Sequence, residues 1–212
     1  RRDMNERVVT KKSEDGNAVF YSDGTILVRN CRWSYPNILL PFDGVNDDGK
    51  KVARYSVVGL MPKNTHKAAA AAIANDIKRL IAEAKIDGIS ADRKFLRDGD
   101  QSGKTLYEGH YTVSAGETRK PAVRSPRKDV WSESDASKIY GGCWGHLLIR
   151  PWVQSNKYGK RVNAGLVAAQ FIRDDEPFGE GTRLSDRAID DTFDDESSGW
   201  ETNPVVDDEI PF

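Results

Sequence analysis

Trp144, Arg150 and Trp152 share one face of an alternating stretch, residues 143–154 (CWGHLLIRPWVQ), together with His146 and Leu148. The other face, Cys143, Gly145, Leu147, Ile149 and Val153, is apolar and reads as core. Cations beside aromatic rings suit one kind of ligand, a flexible polyanion carrying flat bases. Cations track its phosphates and rings stack on its bases, each stack being worth about 1–3 kcal/mol. The same mixture recurs. Arg29, Trp33 and Tyr35 lie in residues 25–35 (TILVRNCRWSY), opposite Ile26, Val28, Asn30 and Arg32. Lys157, Tyr158, Lys160 and Arg161 place one ring among three cations at a turn, and Arg119, Lys120, Arg124, Arg127, Lys128 and Trp131 repeat the pattern in a loop. Arg54 and Tyr55 fall on opposite faces of their strand. Tyr55 belongs with Val57 in the core, which leaves Arg54 for the ligand; Tyr111 alternates with Val113 and Ala115 and also reads as core.

Other chemistry finds less support. Asp98-Gly99-Asp100 has the carboxylate spacing of a metal site, as in nucleases, but reads more simply as a tight turn. No general base sits beside a nucleophile, and no third carboxylate has a fixed spacing to that pair. His66, His110 and His146 are scattered, and Cys31 and Cys143 are far apart in strand-like contexts, as expected of reduced core thiols. There is no phosphate-binding glycine loop and no nucleophile elbow. The expectation is a protein without catalytic residues, metal or cofactor. No apolar run approaches the ~20 residues of a membrane span, and the charged N-terminus does not resemble a signal peptide.

The charge is divided along the chain. The 212 residues carry a net charge of −1, yet residues 174–212 hold 14 Asp/Glu against 2 Arg, a net −12, which leaves +11 on residues 1–173. A near-neutral composition therefore conceals a basic body and a polyanionic tail. The tail ends Asp207-Asp208-Glu209-Ile210-Pro211-Phe212 and also contains Trp200. A tail that only confers solubility has no use for those apolar residues, whereas Phe with a free carboxylate suits an apolar slot with a basic rim.

The elements that must position these groups follow from periodicity. Residues 1–24 are polar and read as an arm. Strands are predicted at 25–35, ending at Pro36, then at 52–60, 109–115, 143–154 and 161–173. Pro151 in the fourth argues for an edge or a bulge. A helix is predicted from Asn64 or Thr65 to about Ile86, with Ile73, Ile77, Leu80, Ile81 and Ala84 on one face and Gly88 as the C-terminal signal. Residues 116–142 read as a long loop and those after 174 as weakly ordered. Five strands, one helix and basic loops fit a mainly β chain, a five-stranded barrel of the oligonucleotide/oligosaccharide-binding (OB) type. The helix lies between strands two and three, whereas the usual OB arrangement places it between three and four. The domains expected are an arm (1–24), a barrel (25–173) and an acidic tail (174–212).

Two resemblances sharpen this. DDEIPF looks like the C-terminal tip of bacterial single-stranded DNA-binding proteins, a docking peptide for replication and repair partners. That resemblance implies partner binding by Asp207, Asp208, Glu209, Ile210, Pro211 and Phe212. RWSYPN (32–37), LRDGD (96–100), GHY (109–111), YGGCWGHLLIRPW (140–152) and NKYGKRVNAGL (156–166), in that order, resemble a family of tailed-phage single-stranded DNA-binding proteins. In plan this family is similar to the T-odd phage proteins, which also join an OB barrel to an acidic tail ending in Phe. The resemblance implies an OB fold, sequence-nonspecific single-strand binding, a place in phage replication, recombination and repair, and the host cytoplasm. An annealing or interaction adaptor uses the same groove and stays open as an alternative, with a metal-dependent nuclease further off.

Overall fold

A computed structural model describes residues 6–179 and 189–193. Nine strands and one long helix follow one another in the first segment: β1 (Val9–Lys12), β2 (Ala18–Tyr21), β3 (Ile26–Val45), β4 (Lys51–Pro62), α1 (Lys63–Ala84), β5 (Leu96–Asp98), β6 (His110–Glu117), β7 (Ala122–Arg124), β8 (Trp144–Asn156) and β9 (Gly159–Arg173). β3, β4, β6, β9 and β8 pair in that cyclic order, and β8 returns to β3, which closes a barrel. All these pairings are antiparallel except β6 with β9. The barrel has the OB order, with the helix between its second and third strands, as the sequence predicts. Residues 189–193 form a separate short helical turn.

The strands run further than turn residues suggest. β3 passes through Pro36 and Pro41, because both fall where its pairing with β4 slips, between Ser34 and Asn37 and between Asn37 and Phe42. Proline is tolerated where no ladder hydrogen bond is asked of it. The segment read as an arm contributes the β1–β2 hairpin, which adds to the edge of β3. The 116–142 loop contains β7, paired in parallel with β9. Helix α1 buries His66, Ala69, Ala70, Ile73 and Ile77, a face at helical spacing. It ends at Lys85, in a left-handed conformation (φ 54°), three residues before Gly88.

The core is centred on Trp33, which is fully buried with Cys31, Val28, Leu147, Ile149 and Leu166. This corrects its assignment to the ligand face. Alternation places Trp33 opposite Ile26 and Val28, yet all three point inward. Asn30 adopts φ 56° at an irregularity between Val28 and Cys31, and that extra residue reverses the parity of the strand. The Trp33 ring fills the space over Gly145, where an added Cβ would lie 2.1 Å from the ring and 2.4 Å from the Gln170 carbonyl oxygen. Cys31 and Cys143 are buried free thiols, and burial pushes the Cys143 thiol up to about 11.

Two buried histidines tie the irregularity down. His146 Nδ1 accepts the Asn30 N–H at 3.0 Å, and His66 Nε2 lies 2.7 Å from the Arg29 carbonyl oxygen. Burial and the nearby Arg29 charge lower the His146 pKa to about 4, and burial lowers that of His66.

Gly145→Ala should lower the unfolding free energy by at least the ~1–3 kcal/mol typical of overpacking, read as a reduced urea midpoint. The histidines predict a pH window. Unfolded, they take up protons near 6.5; folded, His146 does so only near 4. The unfolded state therefore binds more protons between those values, so stability is full above about 6.5 and falls as pH drops toward about 4. The decline should already be visible between pH 6.5 and 5, above the carboxylate range. A urea midpoint flat across that interval contradicts it.

Candidate nucleic-acid interface

A cleft of about 640 Å³ lies across the outer faces of β4, β6 and β9. Its floor is formed of small side chains: Ser56 and Val58 from β4, Ser114 and Gly116 from β6, Asn163 from β9. Five aromatic side chains line it, the buried Phe95 and four others, Tyr35 and Phe42 from β3, Trp152 from β8 and Tyr158 from the β8–β9 turn. Tyr35, Phe42, Trp152 and Tyr158 are all exposed, at 52, 39, 49 and 38%. Five cations, Arg54, Arg93, Lys94, Arg97 and Arg161, stand among them against two acids, Asp47 and Asp92. In OB folds the face of strands two and three, with the loops joining strands one to two and four to five, is the oligonucleotide-binding surface. This cleft occupies that face.

The two loops meet above it. Tyr158 Oη donates to Asp48 Oδ1 at 2.6 Å, joining the β8–β9 turn to the β3–β4 turn. Lys157 Nζ sits 4.8 Å from the Tyr158 ring centre, and Lys160 Nζ donates to the Asp87 carbonyl oxygen. Tyr35 is turned outward by a second left-handed residue, itself at φ 48°, and Lys104 lies 5.5 Å from its ring.

Of the ligand residues predicted from sequence, the cleft therefore gathers Tyr35, Arg54, Trp152, Tyr158 and Arg161, with Lys157 on the adjoining turn and Lys160 at the start of β9. It does not include Arg29, Trp144 or Arg150. Arg150 lies 3.8 Å from Asp23, and Trp144 is bonded to the acidic segment that follows β9. Arg119, Lys120, Arg124, Arg127 and Lys128 flank or belong to β7 rather than the cleft, and Arg124 donates to the Val123 carbonyl oxygen. Asp207–Phe212 lie outside the described residues. Phe42, Arg93, Lys94 and Arg97 escape the sequence reading. Phe42 lies beyond Pro36, where the predicted strand stops, and Arg93 and Lys94 fall between the predicted helix and the Asp98-Gly99-Asp100 turn. Arg97, within the LRDGD motif, was the available signal.

Asp98 and Asp100 build a turn. Asp98 Oδ1 accepts the Asp100 N–H at 3.0 Å, and both carboxylates accept from Lys63 Nζ, at 2.7 and 2.6 Å. Lys63 and Gly109 hold Asp100 below the usual carboxylate range. Among the described residues no cluster of three or more His, Cys, Asp or Glu is placed to hold a metal.

Barrel order and cleft together define an OB-fold protein with a basic, aromatic-lined groove. The family model of the Enterobacter phage Enc34 ssDNA-binding protein matches residues 24–199, and the chain belongs to that family. Among solved structures, the single-stranded DNA-binding protein from bacteriophage Enc34 in complex with ssDNA is 39% identical, with a TM-score of 0.75 over 82% of this chain and 99% of that one. A second structure of the single-stranded DNA-binding protein from bacteriophage Enc34 gives 36% identity and a TM-score of 0.74 over 87% of this chain and 99% of that one. "Putative protein p50" of Acyrthosiphon pisum secondary endosymbiont phage 1 is 27% identical over 176 residues, 78% of this chain and 92% of its own.

Proposed function

We propose that this chain binds single-stranded DNA without sequence preference in the cleft over β4, β6 and β9. The observation that carries this is the alternation there of Tyr35, Phe42, Trp152 and Tyr158 with Arg54, Arg93, Lys94, Arg97 and Arg161. Stacking on aromatic rings tolerates every base. Membership of the Enc34 family supports the same reading, since a family member has been solved holding ssDNA. The acidic residues after the barrel form a second module. Its tip, Asp207–Phe212, recruits replication and repair proteins in the host cytoplasm, and its charge competes with DNA for the basic body during phage replication, recombination and repair.

Titration of a fluorescent oligo-dT tests the cleft. Trp152→Ala and Tyr158→Ala should each weaken binding by about 1–3 kcal/mol without altering the fold, whereas Trp144→Ala should leave it nearly unchanged. The logarithm of the binding constant should fall with log salt at about −0.7 per phosphate neutralised, and Arg54→Ala or Arg161→Ala should make that slope shallower. Loss of affinity with Trp144→Ala but not with Trp152→Ala would move the binding face off the cleft.

Deleting residues 180–212 should tighten oligo-dT binding, most at low salt where screening is weakest. Equal affinities of full-length and truncated chains in low salt would leave the tail as a docking peptide alone.

A further inference from the structure

Residues 174–178, Asp-Asp-Glu-Pro-Phe, repeat the composition of the C-terminal tip, Asp207-Asp208-Glu209-Ile210-Pro211-Phe212, with one residue fewer. They are seated in a built receptor on the barrel. Tyr140 Oη donates to Asp174 Oδ1 at 2.7 Å, and Trp144 Nε1 donates to Asp175 Oδ2 at 2.7 Å. Arg32 donates to the Glu176 carbonyl oxygen at 2.6 Å through one Nη and to the Gly142 carbonyl oxygen at 2.9 Å through Nε. Its guanidinium also covers the Phe178 ring, 4.3 Å from the centre. The Phe178 N–H donates to the Gly141 carbonyl oxygen at 2.9 Å. Gly142 has no side chain where one would strike this peptide; an added Cβ would lie 2.5 Å from the Glu176 carbonyl oxygen. Arg173 lies 3.8 Å from Asp175 and stacks over Trp144. Anionic residues are met by an indole N–H, a phenol and two guanidiniums, and the Phe ring by a cation face. None of Arg32, Tyr140, Trp144 and Arg173 lines the DNA cleft.

We propose that the Arg32–Tyr140–Trp144–Arg173 cradle is a receptor for acidic-Pro-Phe peptides, held in cis by residues 174–178 and open by exchange to the Asp207–Phe212 tip of a second copy of this chain. A peptide with the extra Ile210 would carry its Phe about one residue's rise, ~3.3 Å, further along than Phe178. Exchange substitutes one acidic peptide for a near copy, as in domain swapping. Within one chain it would close a loop over residues 179–206 for no added contact; between copies it links neighbours. The proposal concerns a surface separate from the cleft and stands without DNA.

The tethered 174–178 segment competes at high effective concentration, about millimolar for a short linker, so weakening it should expose the cradle. The probe is a labelled synthetic peptide of residues 203–212, followed by anisotropy against the full chain without DNA. Phe178→Ala should bind it at least about tenfold more tightly than the natural sequence, the scale of one lost cation–π contact. Asp175→Ala, at an exposed site, serves as a second opened variant should Phe178→Ala unfold. Adding Arg32→Ala to either should remove the binding, as should Phe212→Ala in the peptide. In sedimentation, the Phe178→Ala chain should self-associate with concentration, and deletion of its own Phe212 should reverse this. Peptide that ignores both opened variants overturns the proposal. So does binding that survives Arg32→Ala but is lost with Arg54→Ala and Arg161→Ala, which would place the tip in the cleft. An opened chain that binds peptide yet stays monomeric at every concentration overturns exchange between copies.

Discussion

The packing of Trp33 against Gly145 is the contact on which both the cleft and the seat of residues 174–178 depend. It requires that β3 reverse its alternation at Asn30, a left-handed position that costs an L-residue roughly 1–2 kcal/mol. Burial of the Trp33 ring and the His146 bond to Asn30 offset that cost. Once Trp33 points inward, its neighbour Arg32 must point outward, toward Gly142 and the 174–178 peptide. A second left-handed residue, Tyr35, then turns its own ring out toward the cleft. One strand thus supplies the core, the cradle and a wall of the groove, and the two irregularities decide which residue goes where.

The insertion between β4 and β6 does more than carry a helix. The parallel contact of β6 with β9 is a single pair, Gly116 with Gly165. Beside it Phe95 donates to the Val162 carbonyl oxygen and accepts from the Ser114 N–H, both at 2.9 Å. The insertion therefore fills the seam where the barrel closes. The same stretch brings Arg93, Lys94 and Arg97 to the edge of the cleft. Closing the fold and charging the groove are accomplished by one segment, which explains a helix placed earlier than is usual for an OB fold.

Charge is sorted in space as well as along the chain. The cleft gathers cations with few acids, while, where the chain leaves β9, Asp174 accepts from Tyr140 and Asp175 accepts from Trp144 with Arg32 and Arg173 each 3.8 Å away. The polyanionic segment thus begins from a fixed point on the barrel, away from the cleft residues. The cleft is therefore clear of this first acidic stretch.

Composition and order of residues determined much by themselves. Five alternating stretches and a helical one are properties of local sequence, and they yield the OB class, the core faces of β4 and β8, the buried Ile73 and Ile77 of α1 though not its exposed Ala84, and the separation of basic body from acidic tail. Arg54, Trp152, Tyr158 and Arg161 could be singled out because alternation and turn position fix which way a side chain leaves a regular strand, whereas Tyr35 leaves the Trp33 face only through its own left-handed conformation. Trp33 could not be placed, because a bulge shifts parity and nothing local announces it. Phe42, Arg93, Lys94 and Arg97 join the cleft through strand slippage and a seam-filling insertion, both set by partners far away in the chain. The kinship of DDEPF with DDEIPF was legible as letters, but only the folded barrel gives it meaning, because Arg32, Tyr140, Trp144 and Arg173 come from three separate parts of the chain and meet around that peptide only when the barrel closes.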